Sequence, residues 1–141
     1  MLNELVESGV DPSRITCILN GVDLSEFRPK SVAKTDSHAR HHREPSKTVL
    51  IGTLARLHPV KALDVLVEAA KITLASFPDA RFLIGGTGPM EQALRERIQD
   101  LRLEPFVKLV GFVEDVPAFL SEIDIFALSS DSEGLGLVIL E

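Results

Sequence analysis

Arg56 and Lys61 stand five positions apart, and Glu133 and Glu141 stand eight apart. An arginine grips two phosphate oxygens at once and a lysine supplies a mobile point charge, so the first pair suits a diphosphate. A helix beginning beside them would add the partial positive charge of its N-terminus. Taken by themselves, the two cations are a weak signal, since two solvated cations on a loop would look the same. The glutamates bracket Gly134, Leu135, Gly136 and Leu137, where a helix would open with free N–H groups and two glycines would let a ligand approach the main chain. If the intervening stretch is helical, the carboxylates lie on the order of 10 Å apart, given a rise of about 1.5 Å per residue. Carboxylates at that separation do not share a proton; they can hold hydroxyls at two ends of one elongated ligand.

A third candidate is Gly85-Gly-Thr-Gly88. Gly86 and Gly88 supply the first two glycines of the dinucleotide fingerprint G-x-G-x-x-G, but Glu91 occupies the third position, where close helix packing excludes a side chain. No Gly-Lys-Ser/Thr sequence is present, so a P-loop is excluded. What remains is a tight turn that either admits a ligand to the backbone or serves only as a turn.

The elements that must position these residues follow from periodicity. Thr48–Gly52 reads as a buried strand, 62–75 as an amphipathic helix ended at Pro78-Asp79, and 81–84 as a second strand. Pro89 then suits the first position of a helix reaching about Leu103. Val107–Val110 is a third strand, 116–121 a short helix capped by Asp115, and Ile123–Leu128 a fourth strand. Gly136–Glu141 opens a further helix. Strands alternating with helices predict an α/β fold, a doubly wound parallel sheet with helices on both faces. Such sheets bind ligands beyond the carboxyl ends of their strands. The loops 52–61, 85–88, 111–114 and 129–136 all fall at that end.

Residues 1–29 read differently. Leu2–Gly9 resembles the end of a helix, Ile15–Leu19 a strand and Asn20–Asp23 a turn, too little to bury a core alone. They are expected to end a preceding domain. Residues 30–47 hold His38, His41 and His42 among Arg, Lys, Ser and Pro without an apolar period, the composition of a flexible linker. The stretch is read as a solvated linker, and no metal site is expected there.

The formal net charge of −6, with seven Phe and neither Tyr nor Trp, argues against a nucleic-acid binder. No apolar run approaches the roughly 20 residues of a membrane span, and the first residues lack a signal-peptide pattern. The single cysteine, Cys17, lies in an apolar run and suggests a small buried side chain; a reducing cytoplasm is the expected compartment.

Several motifs together resemble the retaining nucleotide-sugar glycosyltransferases of GT-B fold, the glycosyl transferases group 1 family. Glu133-Gly-Leu-Gly-Leu-Val-Ile-Leu-Glu141 is similar to the family's E-x₇-E motif, and Asn20-Gly-Val-Asp23 with Phe27-Arg-Pro29 to its interdomain segment. Gly52-Thr-Leu-Ala-Arg-Leu57 with Lys61 resembles the G-R-L…K phosphate loop, and Gly86-Thr-Gly-Pro89 the G-x-G-P turn. Gly111-Phe-Val113 and Asp124–Ser130 sit in the usual order. The resemblance implies that 48–141 is a nucleotide-sugar donor domain lacking its last elements. An acceptor-binding domain is expected before residue 1.

It also implies roles. Arg56 and Lys61 would hold the donor diphosphate on the loop opened by Gly52. Glu133 would bind sugar hydroxyls with the backbone of Gly134, Leu135, Gly136 and Leu137, and Glu141 the ribose. Gly86, Gly88, Phe112 and Val113 would flank the base. Transfer would retain the donor's configuration through front-face attack assisted by the leaving phosphate, without metal or other cofactor and without a glutamate nucleophile. The acceptor is left open, as is peripheral membrane association of the full-length protein. The chain departs from the family at Ala62 (commonly Gly), Thr87 (commonly Asp) and Leu135 (commonly aromatic), so donor preference is not carried over. Two alternatives stand beside this reading: a nicotinamide-dependent dehydrogenase domain using Gly85–Gly88, and a non-catalytic nucleotide-binding or interaction fragment of the same fold.

Overall fold

The computed structural model describes residues 2–16, 18, 20–23, 25, 27, 48–133 and 136–140. Expectations for Cys17, for the 30–47 linker and its three histidines, and for Gly134, Leu135 and Glu141 lie outside these residues. No helix among them is long and apolar enough to cross a membrane.

The N-terminal segment holds α1 (Leu2–Glu7) and a 3₁₀ turn at Pro12–Arg14. Gly9 ends α1 with φ +92°, and Val10 N–H returns to the Leu5 carbonyl at 3.1 Å, the arrangement of a Schellman cap. The expected strand over Ile15–Leu19 does not form among its described residues, and Ile18 is 87% exposed. The aspartates organise this segment instead: Asp11 caps the 3₁₀ turn through Ser13 N–H, and Asp23 accepts from Ser25 N–H at 2.8 Å where the sequence reads as a turn.

From residue 50 the chain alternates as expected. Strands β1 (Leu50–Leu54), β2 (Arg81–Gly85), β3 (Val107–Gly111) and β4 (Ile125–Phe126) form one parallel sheet in the order β3-β2-β1-β4. Helix α2 (Leu63–Ser76) joins β1 to β2, α3 (Glu91–Asp100) joins β2 to β3, and α4 (Val116–Glu122) joins β3 to β4. Because the first two crossovers run one way along the sheet and the third runs back, right-handed connections set α2 and α3 on one face and α4 on the other. Helix α5 (Leu137–Leu140) follows β4.

The core lies on the α2/α3 face. Leu63, Leu66, Val67 and Ala70 recur at helical spacing on α2, Leu94 and Ile98 on α3, and all six are buried with Phe82 and Ile84 of β2. Arg97 of α3 pairs with Glu68 of α2 at the rim of that contact. Helix α3 ends earlier than its pattern suggested, because Arg102 turns to φ +58° and Leu103 N–H bonds the Ile98 carbonyl at 2.9 Å. At its other end Pro89 is not the first helical residue: it sits in the turn before Met90, with Glu91 N–H reaching the Gly88 carbonyl at 3.2 Å.

Two strands also differ from expectation. The first runs to Leu54, since Thr53 and Leu54 pair with Ile84 and Gly85, which places Gly52 mid-strand. The fourth contracts to two residues, although Asp124 N–H reaches Leu50 O at 2.7 Å and Ala127 N–H reaches Gly52 O at 2.9 Å on either side. Asp124 also accepts from Leu50 N–H through its carboxylate at 3.0 Å, so one side chain ties the beginning of β1 to β4.

Candidate functional site

Four loops meet at the carboxyl ends of the strands. The first carries Arg56 and is held by its neighbours rather than by the arginine itself. Leu57 is fully buried in the core, its N–H donates to Thr87 O at 2.9 Å, and its carbonyl accepts from Met90 N–H at 3.0 Å. Ala55 N–H donates to Gly85 O at 3.0 Å. Arg56 is exposed between two anchored residues.

The glycines of the second loop make that clamp geometrically possible. A Cβ on Gly86, at φ +128°, would lie 1.9 Å from the Ala55 carbonyl oxygen; one on Gly88 would lie 2.4 Å from that of Leu57. Both contacts are with backbone that cannot move aside, so these glycines set how closely the two loops approach.

Leu54, Ala55 and Arg56, together with Gly85, Gly86 and Thr87, form two walls of a cleft of about 460 Å³. Phe112 and Val113 of the third loop, Val116 of α4, and Leu137 and Val138 of α5 complete it. That volume lies within the roughly 300–1,000 Å³ usual for small-molecule sites. The lining is apolar except for Arg56 and Thr87, and Phe112 is 78% exposed at the mouth.

Beside this cleft the first and fourth loops are stitched together. Asp131 N–H donates to Val60 O at 3.0 Å and Ser129 Oγ donates to Lys61 O at 2.9 Å. Lys61 Nζ then donates to Glu133 Oε1 at 2.6 Å, and Ser130 Oγ donates to the same oxygen at 2.6 Å. The Lys61 ammonium first, and the Ser130 hydroxyl second, hold the Glu133 carboxyl below its ordinary value. Lys61 closes a 3₁₀ turn, Pro59–Lys61, after which Ala62 adopts the left-handed conformation at φ 44°, ψ 44° before α2 begins.

The residues singled out in the sequence are thus not brought together in one place. Arg56, Gly86, Phe112, Val113 and Leu137 line one cleft, while Lys61 and Glu133 form a pair beside it. Gly52, Gly88 and Gly136 are not among the lining residues. For Gly52 the reason is packing: it is buried in β1, and a Cβ there would lie 2.5 Å from the Ile123 side chain. Gly134, Leu135 and Glu141 lie outside the described residues. Val138 on the cleft wall was not singled out in the sequence, and no site role was given there to Thr87, Ser129 or Ser130. The serines entered only as the end of the Asp124–Ser130 stretch, with no role attached to them.

A parallel sheet with a cleft at its carboxyl edge defines a Rossmann-like domain of the kind found in GT-B glycosyltransferases. The chain belongs to the Glycosyl transferases group 1 family, whose profile matches residues 34–141. It is 35% identical over 135 residues to the UDP-Gal:alpha-D-GlcNAc-diphosphoundecaprenol alpha-1,3-galactosyltransferase of Escherichia coli, covering 94% of this chain and 35% of that one. Among solved structures it is similar to the pneumococcal O-GlcNAc transferase GtfA in complex with UDP and GlcNAc, with TM-score 0.62 and 28% identity over 72% of this chain and 19% of that one. The fold likeness extends to Anabaena HepE in complex with UDP and glucose, at TM-score 0.72 and 23% identity over 99% of this chain and 38% of that one. The chain spans about a third of the length of the curated relatives it matches.

Proposed function

We propose that this chain supplies most of the donor site of a glycosyltransferase that moves a sugar from a nucleoside-diphosphate sugar to an acceptor, with retention of configuration. The observation that carries the reading is the cleft itself. One cation, Arg56, lines an apolar cleft at the sheet's carboxyl edge, and a second cation, Lys61, is bridged to the carboxylate of Glu133 between two of the loops that follow the strands. The slot suits a base between Phe112, Val113 and the Gly86 turn. UDP bound to the pneumococcal relative supports the same ligand class here.

In this reading Arg56 and Lys61 neutralise the diphosphate as the glycosidic C–O bond breaks, which lowers the barrier by stabilising developing negative charge without a metal. The acceptor oxygen bonds to the anomeric carbon on the face the nucleotide leaves, and its proton passes to the departing phosphate oxygen. Glu133 holds sugar hydroxyls, aided by backbone N–H groups of Gly134, Leu135, Gly136 and Leu137, and Glu141 holds the ribose. Neither glutamate forms a covalent bond. A cytoplasmic site of action fits the single cysteine, and association with a membrane surface would belong to the longer protein.

The test is nucleotide release from UDP-galactose, UDP-N-acetylglucosamine and GDP-mannose by the protein carrying this chain together with an acceptor domain. Arg56→Ala and Lys61→Ala are each expected to lower kcat/KM by about a hundredfold. Release from any of these donors that is indifferent to both substitutions contradicts the reading.

A further inference from the structure

The two hydrogen bonds on Glu133 fall on one oxygen. Lys61 Nζ and Ser130 Oγ both reach Oε1 at 2.6 Å, from different loops, and no other described side chain is bonded to the carboxylate. Two donors converging on one oxygen fix the rotation of the carboxylate plane and leave Oε2 to accept from a third partner. Ser130 is itself fixed in place. Its neighbours on both sides are bonded to the first loop, Ser129 through its hydroxyl to Lys61 O and Asp131 through its N–H to Val60 O. The serine therefore reports the position of the phosphate loop to the carboxylate.

We infer that Ser130 is a positioning residue of the donor site: it orients Glu133 so that Oε2, with Oε1 already occupied, is the atom offered to the sugar hydroxyls. The inference rests on the donor-site reading above. It assigns to a hydroxyl outside the E-x₇-E motif the task of keeping Glu133 an aligned acceptor when the diphosphate draws Lys61 away. A lysine engaged by phosphate loosens its hold on Oε1, whereas a neutral serine has no such competitor. The charged group facing Glu133 from the packed loop is Lys61; Asp131 shares the loop of Glu133, and His58 caps the turn that carries Lys61. The lowered carboxyl of Glu133, to which Ser130 contributes, agrees with this geometry.

The experiment compares wild type, Ser130→Ala and Ser130→Thr in the protein carrying this chain, with two readouts. Carbon-detected NMR follows the Glu133 carboxyl through its titration, and nucleotide release from UDP-galactose gives kcat and KM against pH. Ser130→Ala is expected to move the Glu133 titration midpoint upward and the acid limb of kcat with it, and to lower kcat roughly tenfold, as for a lost hydrogen bond to a charged group. UDP affinity should stay unchanged. Ser130→Thr, which keeps the hydroxyl and guards against a misfolded alanine variant, should restore all three.

An unmoved Glu133 titration overturns the inference, as does a moved titration with unchanged kcat. Failure of the underlying reading looks different: UDP binding would then be absent or indifferent to Arg56→Ala, whatever Ser130 does to Glu133.

Discussion

Lys61 Nζ lies 2.6 Å from Glu133 Oε1 across 72 residues of sequence, joining the loop after β1 to the loop that precedes α5. Each partner is about three-quarters shielded from solvent, so water weakens the pair without dissolving it.

The pair should make stability depend on pH in one direction. Glu133 is held below its ordinary value of 4.5 in the folded chain, so the unfolded chain binds a proton there first. The stabilisation is complete above about pH 4.5 and is lost as pH falls through the lower folded value. Thermal unfolding from pH 7 to pH 3 should therefore show a steeper acid decline in wild type than in Glu133→Gln. Parallel curves would show that the pair adds nothing.

Removing the carboxylate should also affect nucleotide and sugar oppositely. Glu133→Gln frees Lys61 and, if the diphosphate binds as proposed, removes a negative charge near it, so UDP is expected to bind about two- to fivefold more tightly, the scale of a partly exposed ion pair. On the proposed donor-site reading, transfer should fall at the same time, because Glu133 would no longer be there as a carboxylate to accept from the sugar hydroxyls. Isothermal titration with UDP checks the first half; weaker binding would mean that Glu133 holds Lys61 in its productive position instead of competing for it.

Gly88 and Gly86 set the approach of two backbones, so alanine at either should do more than a surface substitution. With Cβ atoms 2.4 and 1.9 Å from carbonyl oxygens of the first loop, both variants must displace the segment that carries Arg56. A loss of at least about 2 kcal/mol of stability is expected, with weaker UDP binding in whatever remains folded. Denaturant titration gives the first number, and a change under about 0.5 kcal/mol would mean that the loops stand further apart than those distances require.

Ala62 offers the converse experiment. A non-glycine residue in the left-handed region costs roughly 1–2 kcal/mol, while glycine's extra freedom in the unfolded chain costs about 0.5–1 kcal/mol. Relief of the strain outweighs the added freedom. Ala62→Gly is therefore expected to raise stability by about 0.5–1 kcal/mol, a few degrees in Tm, without changing UDP binding. Thermal unfolding of the two proteins checks it, and a lower Tm for the glycine variant would contradict it.

What the sequence disclosed, and what it withheld, follows from the range of the interactions involved. The period of Leu63, Leu66, Val67 and Ala70 announces α2 because burial of one helical face is written locally, and the Asp115 cap likewise needs only Ala118 three residues on. The apolar run around β4 fits a long strand, yet only two of its residues pair in register with β1. Gly52 carries the same letter as Gly86 but answers to Ile123, a contact no local pattern records. The candidate site was legible as residue types at loop positions. The convergence of Lys61 and Ser130 on one oxygen of Glu133 was not, since it depends on how two loops dock.

The most direct measurement is an amide NMR titration of the protein with UDP, read residue by residue. If the cleft is the donor site, saturable shifts should cluster at Arg56, Thr87, Phe112, Val113, Leu137 and Val138, with Lys61 and Glu133 following as their pair is disturbed, and Arg56→Ala should abolish saturation. Shifts centred instead on Lys108 and Val110, away from that cleft on β3, or a titration unaffected by Arg56→Ala, would contradict it.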